Sequence, residues 1–167
     1  MNLSKIKPES ISDNTFSLIA KDWMLIASGS KNEHNCMTAS WGGFGVLWFK
    51  NVAFVFIRPQ RHTLEFVKNN DYFTLNFFDN TFKDVLTYCG KNSGKHVDKT
   101  KECNLSPIET DNNSVAFSEA RLIVECKKLY ADSFTKEAFV DESLLKHYEK
   151  NDYHIMFVGE IVNCYAK

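Results

Sequence analysis

Four residues in the stretch RPQRHT, Arg58, Gln60, Arg61 and Thr63, have the donor chemistry to hold an anion. They follow directly on an apolar run, VAFVFI, and precede a helical pattern, TLEFVKNN, with Thr63 expected as its N-cap. A phosphate there would meet two guanidinium groups, a hydroxyl and the free N–H groups of a helix start. Each charge-assisted hydrogen bond contributes about 1.5–3 kcal/mol. Glu65, in the first turn of the same helix, opposes an anion unless it points away, and a solvated turn would carry the same residues. A second stretch, KNSGKHVDK, places Ser93 and Gly94 in a turn among Lys91, Lys95 and Lys99. It reads either as another anion cradle or as a polar loop that ends a helix.

The segment NCMTASWGGFG, residues 35–45, has a different character: one amide, two hydroxyls, a Trp and three glycines, with no charge. Asn35, Thr38 and Ser40 can hydrogen-bond a flat polar ligand, Trp41 can cover it, and glycines let backbone approach closely. The run is polar for a core strand, and a hairpin turn would also account for its glycines. Together, the ring platform and the phosphate clamp point to a mononucleotide cofactor.

Other chemistries fare worse. GFGVLW starts like a dinucleotide fingerprint but carries Trp48 at its third glycine position. GKNSGKH has three residues between its glycines where a phosphate loop has four, and His96 stands where the magnesium-binding hydroxyl belongs. The five histidines form no HxxxH or HxH pair, and the five cysteines share no CxxC spacing, so no metal site is expected. No GxSxG nucleophile elbow occurs.

The elements that must position these groups are mostly strands. Continuous apolar runs at 23–28 and 52–57 suit strands covered on both faces. Residues 72–78 alternate, with Phe73, Leu75 and Phe77 on one side and Thr74 and Asn76 on the other. Longer strands are expected at 119–131 and 153–166, the latter bent or bulged at Gly159. Helices are expected at 63–70, at 80–90 with Gly90 as its stop, and at 141–150 capped by Asp141 or Ser143. The chain reads as one domain over 1–167, with 1–14 a loosely ordered lead-in, and as a mainly β barrel with peripheral short helices.

Bulk properties agree. At 44% hydrophobic and 25% charged the composition is ordinary, and a net charge of -1 leaves no electrostatic footprint for nucleic acid or an anionic membrane. No apolar run reaches the roughly 20 residues of a membrane span, and the first twenty residues hold no signal-peptide core. Scattered thiols, with Cys36 and Cys89 read as small buried hydrophobes, fit a cytoplasmic protein.

Six segments, NCMTASWGGFGVLW, FIRPQRHT, FTLNFF, YCGKNSGKHVDK, EARLIVECKKLY and DYHIMFVGEI, resemble in order those of the flavin reductase-like, FMN-binding split-barrel family, which includes flavoredoxin and NAD(P)H:flavin oxidoreductases. The resemblance spans residues 15–165. It implies a six-stranded antiparallel Greek-key split barrel, non-covalent FMN, and a homodimer with cofactor sites near the subunit interface. It also implies hydride transfer from NAD(P)H to the flavin and onward to an acceptor such as free flavin or a redox protein. A flavoredoxin-like electron carrier without a nicotinamide site, or a barrel that has lost its cofactor, remain open beside it. By this resemblance Asn35, Met37, Thr38, Ala39, Ser40 and Trp41 line the ring and ribityl chain. Arg58, Gln60, Arg61 and Thr63 address the phosphate, Ser93, Gly94 and Lys99 complete its cradle, and His154 faces the nicotinamide side. Trp41 and Trp48 are candidates to stack on the ring. The chain departs from the family pattern at Lys95, where an arginine is expected, and at Thr100, where an aromatic is common.

Overall fold

Each apolar run becomes a strand because alternate side chains can be buried on a common inner face. The computed structural model describes residues 3–167. Its strands are β1 (Ser4–Ile6), β2 (Met24–Gly29), β3 (His34–Ala39), β4 (Gly42–Leu47), β5 (Lys50–Ile57), β6 (Tyr72–Phe77), β7 (Pro107–Glu109), β8 (Val115–Phe117), β9 (Leu122–Ser133) and β10 (Ile155–Ala166). The helices are short: α1 (Thr15–Ser17), which continues as a π-turn over Leu18–Asp22, α2 (Thr63–Asn69), α3 (Lys83–Lys91) and α4 (Lys99–Glu102).

Eight strands form one antiparallel sheet in the order β3-β2-β6-β9-β10-β5-β4, with β1 beside the end of β10, and β7–β8 is a separate hairpin. The expected count of six is therefore exceeded, by β1 and by the β4 arm. β6 follows β5 in sequence yet lies between β2 and β9, a non-local return of Greek-key type. One core unites the whole sheet. Met37 and Ala39 of edge strand β3 share it with Val55 and Ile57 of β5, near the other edge, and with Phe73, Leu75 and Phe77 of β6. Only a curled sheet brings opposite edges into one interior, so the fold is a split barrel whose seam lies between β3 and the β4–β5 arm. A second cluster on the outside of the barrel packs Leu86 and Cys89 of α3 and Phe117 of β8 against Leu25, Ala27 and Cys36.

The polar side of β6 anchors the hairpin. Thr74 Oγ1 donates to the Val115 carbonyl (2.6 Å), and Asn76 Oδ1 accepts from the Phe117 N–H (3.1 Å). Buried polar groups are tolerated when so bonded.

Several expectations change. NCMTASWGGFG is not a turn but parts of two strands, β3 and β4, with Asn35, Cys36 and Met37 buried. The 1–14 stretch is not a loose lead-in over its described part: Ser4–Ile6 pairs with Cys164–Ala166, and Asn51 Nδ2 donates to Glu9. Thr63 is the first helical residue and not the cap, which is His62. Gly90 lies inside α3. The 141–150 helix is a 3₁₀ segment, Glu142–Tyr148, begun by Asp141 accepting from the Ser143 N–H. Only Tyr148 of that segment is buried, too little apolar face to hold an α-helix. The β4–β5 hairpin turns on Trp48 and Phe49, with φ of 53° and 58°, left-handed values that such turns usually give to Asn and Gly.

The bend at Gly159 is present as a register shift between β9 and β10. A Cβ there would lie 2.6 Å from Phe73 Cζ and 2.8 Å from Cys126 Cβ, inside the core. Gly159→Ala is expected to destabilise the protein by about 1–3 kcal/mol through overpacking. This lowers Tm by roughly 3–10 °C, read by circular dichroism.

Candidate functional site

The barrel seam holds three cavities that share walls. The largest, about 720 Å³, is bounded by Phe16, Ser40, Trp41, Phe44, Phe56, Phe134 and His154 among others. It meets a narrow trough of about 200 Å³ through Ser40, Trp41, Phe56 and His154; Met37, Thr38, Ala39, Arg58 and Arg61 complete the trough's walls. The trough in turn shares Met37 and Arg61 with a small pocket of about 120 Å³ lined by Gln60, Thr63, Lys91, Ser93, Gly94 and Lys99. Residues 35–41, 58–63 and 91–99 are thus brought together. The line runs from an aromatic chamber to a basic corner.

The trough has polar backbone to offer because β3 pairs only with β2 and is an edge of the sheet. Period-two alternation sends Met37 and Ala39 into the barrel and Cys36 and Thr38 toward α3. The Thr38 hydroxyl donates to the Leu86 carbonyl and so braces α3, while the residue also forms part of the trough wall. Asn35 Nδ2 donates to Thr63 Oγ1 at 2.9 Å, and both residues are buried. That bond ties β3 to α2. Gly94 packs onto the same amide: a Cβ there would fall 2.0 Å from Asn35 Oδ1, so only glycine lets the 93–95 loop close against β3.

The cations divide by their partners. Arg58 Nη1 pairs with Asp152, Nη2 donates to the His147 carbonyl (2.9 Å), and its guanidinium lies over Tyr148. Gln60 donates to the same Asp152 oxygen (2.8 Å). Arg58 and Gln60 therefore clamp the 147–152 segment, and Arg58 also lines the trough and Gln60 the small pocket. Of the three arginines, Arg121 pairs with Asp13 and Asp22, and Arg61 has no carboxylate partner among the described residues. Arg61 Nη1 donates to the Gly90 carbonyl (2.6 Å); burial first, then Arg58, lowers its pKa.

Lys99 is buried and donates to the carbonyls of Cys36 (2.7 Å) and Cys89 (2.9 Å), joining β3 to α3. Burial lowers its pKa. With three donors on an ammonium, one remains for the pocket it lines. Glu65, the residue opposing an anion, is held by Lys95 (2.7 Å) and lies 3.1 Å from His62 Nδ1. The N–H groups of Leu64 and Glu65 already bond the Arg61 and His62 carbonyls, so the start of α2 offers less than its sequence promised.

At the other end Trp41 is 47% exposed and meets the rings of His147 and His154. Trp48 is at the hairpin tip against Tyr130 and lines none of these cavities. His154 is buried, with Nδ1 2.8 Å from Tyr148 Oη. Burial first, then Arg58, pushes its pKa down to about 4, so the imidazole is neutral at pH 7. The chamber walls Phe16, Phe44, Phe56 and Phe134 were not among the sequence candidates. Nor was Asp152, whose pairing with Arg58 spans 94 residues.

The chain matches the model of the flavin reductase-like domain over residues 16–167. It belongs to that family. Among solved structures, an FMN-binding domain of a flavin reductase-like enzyme from Shewanella baltica superposes with a TM-score of 0.71 at 14% identity, covering 99% of this chain and 77% of that one. Flavoredoxin from Methanosarcina acetivorans gives 0.71 at 23%, covering 98% and 76%. Nitrilotriacetate monooxygenase component B from Bacillus cereus gives 0.69 at 16%, covering 96% and 80%. These likenesses establish the split-barrel fold. No curated protein matches the sequence significantly.

The His154 imidazole makes stability depend on pH. Its ordinary pKa of 6.5 applies to the unfolded chain and about 4 to the folded one. Between those values the unfolded state binds the extra proton, so stability falls as pH drops from 6.5 toward 4, by about 3 kcal/mol. Urea midpoints measured across that window should show this slope, and His154→Gln should flatten it.

Proposed function

We propose that this chain binds FMN along the seam and acts as a flavin reductase-type oxidoreductase. NAD(P)H is the hydride donor, and free flavin or a redox protein the acceptor. The observation that carries this reading is the line of three cavities that leads from an uncharged, aromatic chamber to Arg61, a guanidinium with no carboxylate among the described residues. A ligand with a flat neutral ring at one end and a phosphate at the other fits that gradient.

In this assignment Arg61, the Ser93 hydroxyl and the third donor of Lys99 hold the phosphate, and Gly94 lets the loop backbone approach. Asn35 and Thr63 keep the loop and β3 in register. Met37 and Ala39 flank the ribityl chain, and the backbone of Ser40 and Trp41 offers hydrogen bonds to the polar rim of the ring. Bound FMN supplies the hydride and electron chemistry; the protein supplies position and electrostatics. That division explains why the seam needs no carboxylate dyad or activated nucleophile. His154, neutral and fixed by Tyr148, keeps Trp41 in place and presents an uncharged surface on the side assigned to the nicotinamide. Exposed Val46, Trp48, Phe49 and Tyr130 form the face assigned to a second subunit. Five free thiols fit a reducing, cytoplasmic setting.

Purified protein reconstituted with FMN is expected to be yellow. Arg61→Ala should weaken FMN by about 10- to 100-fold, the worth of one charge-assisted hydrogen bond. It should leave riboflavin, which lacks the phosphate, unaffected. Arg58→Ala should stay closer to wild type. Equal loss for FMN and riboflavin would remove Arg61 from the phosphate.

Flavoredoxin among the structural neighbours favours one second reading, an electron carrier. Anaerobic NADH or NADPH should bleach the bound flavin of a reductase; no bleaching by either would leave the carrier.

A further inference from the structure

Three thiols meet behind the basic corner. Cys89 of α3 is fully buried, and its Sγ lies 3.9 Å from Sγ of Cys103, the residue that caps the C-terminal end of α4. Cys36 of β3 packs in the same cluster, and its thiol hydrogen-bonds Cys89. The chain between Cys89 and Cys103 is the cradle itself, with Lys91, Ser93, Gly94, Lys95 and Lys99. Lys99 Nζ already fastens the start of α4 to the Cys89 carbonyl at 2.9 Å.

We propose that Cys89 and Cys103 are a reversible disulfide site, and that the closed bond locks the 91–99 loop and tightens its hold on a phosphate. The bond itself stands on the thiol geometry; its effect on a ligand rests on the reading of this corner as the FMN phosphate site.

A disulfide holds its sulfurs about 2 Å apart, so the pair must close by about the same distance. α4 can give that much because it is a single turn, Lys99–Glu102. Cys103 is half-buried and open to a small disulfide from solution, whereas Cys36 is buried within the pairing of β3 with β2, opposite Ala27. Cys103 is therefore both the point of entry and the partner that can shift. The hydrogen bond to Cys36, then burial, raises the pKa of Cys89, and burial first pushes that of Cys103 up to about 12. Neither thiol is a ready nucleophile at pH 7, so closure depends on each being held against the other.

With glutathione disulfide as the oxidant, the Cys103 thiolate attacks one of its sulfurs and releases one glutathione. The Cys89 thiolate then attacks the Cys103 sulfur of the mixed disulfide and releases the second. Two electrons pass to the glutathione disulfide, and the two cysteine protons end on the two glutathione thiols. Closure joins the two ends of the cradle, so less chain has to be ordered when a phosphate binds.

FMN-reconstituted protein is equilibrated with glutathione disulfide or with dithiothreitol, alkylated, digested and mapped by mass spectrometry. Peptides joined through Cys89 and Cys103 are expected in the oxidised sample alone. Oxidation should raise Tm by roughly 5 °C or more in wild type and not in Cys103→Ser, and dithiothreitol should reverse the shift. On dilution, followed by flavin fluorescence, the oxidised protein should hold FMN about threefold or more tightly than the reduced one, with riboflavin unchanged. No disulfide, a bond from Cys89 to Cys36, or glutathione left on Cys103 would overturn the site. An unmoved Tm, an FMN affinity unchanged or weakened, or an equal change for riboflavin would overturn the lock. A protein that never takes up FMN overturns the flavin reading instead; the peptide map and Tm of that protein still decide the disulfide.

Discussion

Incomplete closure of the sheet is the constraint from which the rest of this molecule follows. β3 pairs on one side only, and the β4–β5 arm ends the sheet at its other edge. A closed barrel would saturate both edges with hydrogen bonds and leave no room between them. The seam instead keeps backbone donors and acceptors next to a cleft, and the core shared by Met37, Ala39, Val55 and Ile57 holds the two edges at a fixed separation. Exposed edges are ordinarily a hazard, because they invite pairing with other chains. Here the edge is bordered by α3, the 91–99 loop and the 58–63 turn, which turn it into a lined channel.

How these borders are fastened matters as much as what they present. Asn35, Thr38 and Lys99 look like ligand-facing groups, and each is engaged in joining β3 to a neighbour: Asn35 to Thr63, Thr38 to the Leu86 carbonyl, Lys99 to the carbonyls of Cys36 and Cys89. The basic corner is sorted in the same way. Arg58 is neutralised while holding the 147–152 segment over the trough, and Arg61 keeps its charge for the pocket. Two arginines three residues apart thus do different work, and the difference comes from one aspartate far along the chain.

Much of this was legible in the sequence. The alternation of Phe73, Leu75 and Phe77, the apolar runs of β2 and β5, and the order of six family-like segments gave the fold class and the convergence of the three site loops. What escaped has physical causes. β3 was hidden because most of its side chains are short or polar and their burial comes from neighbours, and β4 because three of its six residues are glycines. The ion pair of Arg58 escaped because local spacing carries no information about Asp152. The chamber walls escaped because single phenylalanines from α1, β4, β5 and the end of β9 meet only in three dimensions. The tie from the Asn35 amide to Thr63 escaped because its partner lies 28 residues away in sequence.

The tip of the β4–β5 hairpin has a consequence for the lone subunit. Trp48 and Phe49 both adopt left-handed backbone, which costs about 1–2 kcal/mol for each residue with a Cβ. Asn-Gly would make the same turn with less strain, so the sequence at this corner serves what the two rings touch and not the ease of the bend. A solitary chain must bear that strain with its aromatics in water. The corner thus combines a strained backbone with Phe49 fully exposed and Trp48 half-exposed against Tyr130.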